Sequence, residues 1–158
     1  DVRKWFGNND YVINWENDGY ECKYENVTSA GRIKSHNYNG KYALQKGIVW
    51  TKITSKAPSF RFVDSGFMFD DAGPLCHIRN DNYLYAILSF LNSRVSTYLL
   101  GCISPTLNLL PGNLNALPVS FQNTCIDDDL TINCINISKS EYDIDSVFAL
   151  SNQVNDCG

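Results

Sequence analysis

The sequence predicts an α+β fold: a twisted mixed or antiparallel sheet of short strands packed on one central amphipathic helix. Three observations carry that expectation. Short β-branched and aromatic runs stand at 11–16, 48–54, 60–63 and 67–70, most of them bounded by turn residues. A helical period runs through 82–103. The chain has 158 residues, 44% apolar and 19% charged, which is the composition of one globular domain.

In chain order, Tyr-Val-Ile-Asn-Trp-Glu at 11–16 reads as a strand, ended by the turn residues Asn17, Asp18 and Gly19. Residues 20–46 are polar and read as loop with helical pieces. Residues 48–54 form the strongest strand. Two more strands, 60–63 and 67–70, flank Asp64-Ser65-Gly66, which is hairpin chemistry. In 82–103 the positions Leu84, Ile87, Leu88, Leu91, Val95, Tyr98, Leu99 and Cys102 fall on one helical face. Asn80 or Asp81 can cap its start. Ser104-Pro105-Thr106 stops it, Pro111-Gly112-Asn113 is a turn, and Leu117-Pro118-Val119 is a short extended piece. Three aspartates open a helix at 127–138 with Leu130, Cys134 and Ile137 as its apolar face. The expected division is one domain, 1–140, and a weakly ordered polar tail, 141–158. The chain carries no initiator Met and is expected to be a fragment of a longer one.

Charge is unevenly spread. Residues 1–61 hold ten of the thirteen bases and six of the seventeen acids, whereas 62–158 hold three bases and eleven acids. Within 23–61 eight bases oppose only Glu25, and Tyr24, His36, Tyr38, Tyr42 and Trp50 are interleaved with them. Bases gain by releasing counterions from phosphates, and amides can read base edges, so this mix suits a polyanion. Lysines that merely solvate a surface give the same composition. Trp50, inside a strand, is expected to pack in the core.

Several chemistries are missing. No Walker loop, Gly-x-Gly-x-x-Gly or Gly-x-Ser-x-Gly occurs. His36 and His77 are the only histidines. The acid pair Asp70-Asp71 lacks a third carboxylate nearby and reads as a turn cap rather than a metal site. The six cysteines lack zinc-knuckle spacing and read as reduced, mostly buried thiols of a cytoplasmic protein. No run of eighteen apolar residues exists to cross a membrane.

Five stretches in order carry a resemblance: KWFGNNDYVINWENDG (4–19), KGIVWTKITS (46–55), FRFVDSGFMFDDAG (60–73), LYAILSFLNSRVSTYLL (84–100) and SPTLNLLPGNLNALPV (104–119). Together they resemble the specificity (target recognition) region that follows the catalytic domain in class I adenine-specific DNA methyltransferases. The likeness is to the large methyltransferases of BREX phage-resistance systems (the PglX family) and to restriction–modification enzymes with a TaqI-like specificity domain. Where relatives often carry Asn-Pro-Thr and Gly-Asp-Ile, this chain has Ser104-Pro105-Thr106 and Gly112-Asn113-Leu114.

The resemblance implies a piece that binds double-stranded DNA and selects a site. The family's catalytic Asn/Asp-Pro-Pro-Tyr/Phe tetrapeptide is absent, so this piece is expected to be no enzyme, with no catalytic or metal residues of its own. S-adenosylmethionine belongs in a missing N-terminal methyltransferase domain, which is then the chain's covalent partner. Lys34, Lys41, Lys46, Lys52, Lys56 and Arg61 are the expected phosphate contacts. Asn37, Asn39 and Gln45 are the expected base readers. The alternative is a protein-interaction module that docks a partner subunit through the acidic part, 62–158.

Overall fold

The computed structural model describes residues 3–25, 27–32, 34, 40–119 and 127–155, with side chains described as far as 145. The chain divides into two compact units, one of residues 9–43 and one of residues 1–8 with 44–158. Sequence reasoning expected one domain over 1–140; the division falls inside the basic segment.

The smaller unit is built on turns. Its first element, α1 (Glu16–Tyr20), is left-handed at Asn17, Asp18 and Gly19, with φ of 50°, 58° and 74°. Gly19 is required twice over, because a Cβ there would also stand 2.6 Å from the Trp15 ring. A π-helical turn, Glu21–Glu25, follows. The strand expected at 11–16 does not form. Tyr11 and Val12 are 95% and 101% exposed, so the alternating apolar run has no sheet face to bury.

The larger unit holds the sheet. β1 (Gly47–Trp50), β2 (Phe60–Val63) and β3 (Leu75–Cys76) pair antiparallel in the order β2-β1-β3. β1 matches the leading half of the expected strand 48–54, and β2 matches 60–63. Residues 67–70 are not a strand; the Asp64–Gly66 turn returns the chain to Leu44, whose N–H reaches Phe67 O at 3.1 Å. The third strand lies later, at Leu75. It can approach because Gly47 has no side chain: a Cβ would stand 2.6 Å from Cys76 O. Ile48, Trp50 and Phe60 are buried beneath the helices. The Trp50 indole Nε1 donates to Leu109 O at 2.9 Å, so the ring packs in the core as expected.

The long helix expected at 82–103 is two. α2 (Leu84–Asn92) and α3 (Arg94–Ile103) meet at a bend of 73°. Ser93 makes the break: its ψ is 160°, and its hydroxyl accepts the Ser96 N–H as the N-cap of α3. The bend ends the apolar register. Leu84, Leu88 and Leu91 are buried, whereas Val95 and Tyr98 are 62% and 73% exposed and Ser96 and Leu100 are buried instead. Asn80 caps the entry by accepting from Asn82 N, as expected. Asn92 joins helix to sheet. Its Oδ1 accepts from Phe60 N at 3.1 Å and its Nδ2 donates to Phe60 O at 2.9 Å.

Pro111-Gly112-Asn113 opens a single helical turn, α4 (Pro111–Asn115), with proline at its start. The last element, α5 (Asp128–Asn155), packs on α2. Asp127 Oδ1 accepts from Asp129 N and Leu130 N, so the aspartates serve the helix start as expected. One expectation changes: Thr131, Cys134 and Ile135 face inward rather than Leu130 and Ile137, which are exposed. Past residue 140, where the sequence led to the expectation of a weakly ordered polar tail, α5 runs on to Asn155. Among the described residues no single helix is long and apolar enough to cross a membrane.

Candidate nucleic-acid interface

The basic side chains expected to meet phosphate fall into two classes. Lys34 and Lys41, in the unit of residues 9–43, are exposed. Lys41 Nζ lies 4.9 Å from the Tyr42 ring centroid. Asn37 and Asn39, expected to read bases, lie outside the described residues, as does His36. Gln45 is exposed at the start of the larger unit.

In the larger unit the bases are largely engaged. Lys46 Nζ is 2.7 Å from Asp81 Oδ2. That hydrogen bond is the main cause that raises the lysine above its ordinary pKa. Lys52 Nζ meets both carboxylate oxygens of Asp71, at 2.7 and 2.6 Å. Arg61 is 4% exposed. Its guanidinium donates to Arg3 O at 3.4 Å and Thr51 Oγ1 at 3.3 Å, both long contacts. Burial lowers its pKa, and no carboxylate offsets that. The buried guanidinium offers almost no surface to a phosphate, because it lies on the face of β2 opposite Phe60 and reaches under the N-terminal segment, where Trp5 bridges Arg61 and Arg3 O accepts from it. Lys56 is exposed in the loop between β1 and β2.

Asp70 and Asp71 are engaged separately. Asp70 Oδ1 accepts the Gly73 N–H at 2.6 Å, the turn cap expected from the sequence. Asp71 belongs to Lys52. No group of three potential metal-binding side chains exists among the described residues. Of the described cysteines, Cys22, Cys76 and Cys134 are half-buried and Cys102 is exposed, all as free thiols. Burial pushes the Cys76 thiol up.

Sequence reasoning missed a cleft of about 440 Å³ in the larger unit. One wall is the loop 54–58, which carries Thr54, Ser55, Lys56 and Pro58. The floor is the end of α3, with Thr97, Leu100, Gly101 and Ser104. The far wall is 105–109. That wall is braced from within. Ser104 Oγ donates to Asn108 O at 3.0 Å, Thr106 Oγ1 donates to it at 3.3 Å, and Leu109 N donates to Lys52 O at 2.7 Å. The available signals were Gly101 inside a helical period and the Ser-Pro-Thr motif directly after it.

No family model matches the chain. It is 37% identical over 140 residues to the adenine-specific methyltransferase PglX of Lacticaseibacillus casei (strain Zhang). Its homologues are adenine-specific methyltransferases. The second, BrxX of Escherichia coli (strain HS), is 35% identical over 144 residues. These alignments cover 89% and 90% of the chain but only 12% and 11% of PglX and BrxX. The described stretch therefore corresponds to a small part of each relative.

Proposed function

We propose that this chain is the part of an adenine-specific DNA methyltransferase that binds duplex DNA and selects its target site. The observation that carries this reading is the likeness to PglX and BrxX over nine-tenths of the chain, in a sequence without the Asn-Pro-Pro-Tyr type tetrapeptide. Chemistry then belongs elsewhere in a longer protein, and this piece contributes affinity and choice. The phage-defence setting of the resembling methyltransferases is part of the same proposal.

Phosphate contacts come first from the exposed bases Lys34, Lys41 and Lys56. They set register without reading sequence. Lys46 and Lys52 are held in exposed ion pairs of small net worth, so a phosphate can compete with Asp81 and Asp71 for them. Arg61 drops out of the contact set because it is buried. Gln45, Asn37 and Asn39 are the proposed readers of base edges. S-adenosylmethionine is assigned to a separate catalytic domain. The cleft does not fit it, because no carboxylate lines that cleft to hold ribose hydroxyls.

The test is DNA binding by the full chain across a salt series. Log affinity should fall linearly with log salt, and each lost phosphate contact should flatten the slope by about 0.9. Affinity indifferent to salt would sink the reading. Docking of a protein partner that survives reversal of Lys34 and Lys41 would favour an interaction module instead.

A further inference from the structure

The cleft of the larger unit has a lining of one charge sign. Its lining holds one cation, Lys56, and no carboxylate. Thr97, Thr106 and Asn108 line it beside the apolar Leu100 and Pro105; the two threonine hydroxyls donate within the fold, to Ser93 O and Asn108 O, which leaves their oxygens as acceptors. A cation is the wrong ligand for such a site. A ligand with an anionic group and a flat apolar body edged by polar atoms is the right one.

Gly101 supplies the second, independent observation. It sits inside α3, where glycine is among the poorest helix formers. Nothing lies within 4 Å of where its Cβ would stand, so no neighbouring protein group demands the glycine. Its backbone conformation does not demand it either, because its φ is not positive. What the missing side chain leaves is open space on the cleft floor. The volume, about 440 Å³, falls in the range of small-ligand sites.

We propose that this cleft holds one nucleotide unit, with Lys56 facing its phosphate and the α3 floor at Gly101 receiving its base. The inference rests on the DNA-binding reading above and deepens it: the unit is taken to belong to the bound DNA strand. A free nucleotide offers the same chemistry, and the test separates the two sources.

The experiment measures duplex affinity and melting temperature for the full chain and for Gly101→Leu, which fills the floor. Retained melting with a loss of about tenfold in affinity is expected, the size of losing one base contact. Wild-type affinity in the folded variant overturns the proposal. If Gly101→Leu does not fold, Gly101→Ala decides. It should hold or raise the melting temperature, because alanine is the better helix former. It should still lower affinity, and unchanged affinity overturns the proposal. Deoxyadenosine monophosphate is added as competitor. Displacement of duplex from the wild type, but not from Gly101→Leu, assigns the site to a nucleotide and admits the free form. Failure to displace, with the Leu variant impaired, assigns it to the strand. A wild-type chain that binds no duplex removes the DNA reading itself. A wild type that binds with normal salt dependence, beside unaffected Gly101 variants, removes only the cleft.

Discussion

Residues 9–43 and residues 44–63 each bring four basic side chains, and the fold treats them differently. In 44–63 Lys46 and Lys52 are matched to acids from the later half of the sequence, Arg61 is buried, and only Lys56 stands exposed and unmatched. In 9–43 Lys23 is paired with Asp18 and lies over the Trp15 ring, while Arg32, Lys34 and Lys41 are exposed. The lesson concerns charge asymmetry. Early bases and late acids are separated along the chain, but in the larger unit they meet as ion pairs. A positive stretch of sequence is therefore not a positive stretch of surface until such pairs are subtracted.

Two of the three tryptophans give that contrast its largest test. Trp50 is 1% exposed, packed beside Phe60 and hydrogen-bonded to Leu109 O. Trp50→Ala should cost about 3–5 kcal/mol and lower the melting temperature sharply. Trp15 is only half-buried and serves as the platform under Lys23. Trp15→Ala should cost about 1 kcal/mol, the scale of one exposed cation–π contact and some packing. Equal losses in thermal unfolding would end the distinction between a core-bearing region and a turn-built one.

Charge reversal comes next in size. Lys34→Glu with Lys41→Glu should flatten the salt slope of DNA binding by about 1.8, two contacts at 0.9 each, and leave melting unchanged. Lys46→Ala with Lys52→Ala should move binding less. A stronger effect from the paired lysines than from the exposed ones would reverse the comparison.

How much of this was legible depends on the distance over which each cause acts. β2 at 60–63, the Asn80 cap and the role of Asp70 are set by neighbours a few residues away, and the sequence reveals them. The break at Ser93 was hidden because the apolar spacing runs through it unbroken; only the hydroxyl cap on Ser96 N ends the first helix. β3 was hidden because its placement depends on Gly47, far from it in sequence, lacking a Cβ. The burial of Arg61 was hidden because the segment that covers it, at Arg3 and Trp5, lies far away in sequence. At the candidate interface, basic composition was readable, whereas ion pairing between distant residues was not.

Arg61 offers a smaller and sharper trial. Its guanidinium is desolvated, has only two long hydrogen bonds and meets no carboxylate. Replacing such a buried charge by an apolar side chain of similar length is often neutral or stabilising. Arg61→Met should therefore change stability by no more than about 1 kcal/mol in chemical denaturation, and DNA affinity should hold. A large loss of binding with stability intact would return Arg61 to the contact set.

The smallest expected effect is in alkaline pH, and it too separates groups used inside the fold from groups left at the surface. Burial raises the Cys76 thiol, and the Asp81 hydrogen bond raises Lys46. Both folded values lie above the unfolded ones. Each contribution is therefore complete below the unfolded pKa and is lost as pH rises through the folded value. The thiol's window opens first, above the ordinary cysteine value of about 8.5, and the lysine's opens above about 10.4. Denaturation midpoints should decline in that order as pH rises. Cys76→Ala should remove the earlier decline. Lys46→Met should leave it in place, because the raised Lys46 is itself still protonated where the thiol titrates. If Lys46→Met abolished the earlier decline instead, the exposed pair rather than the half-buried thiol would be the group that carries alkaline sensitivity in the sheet region.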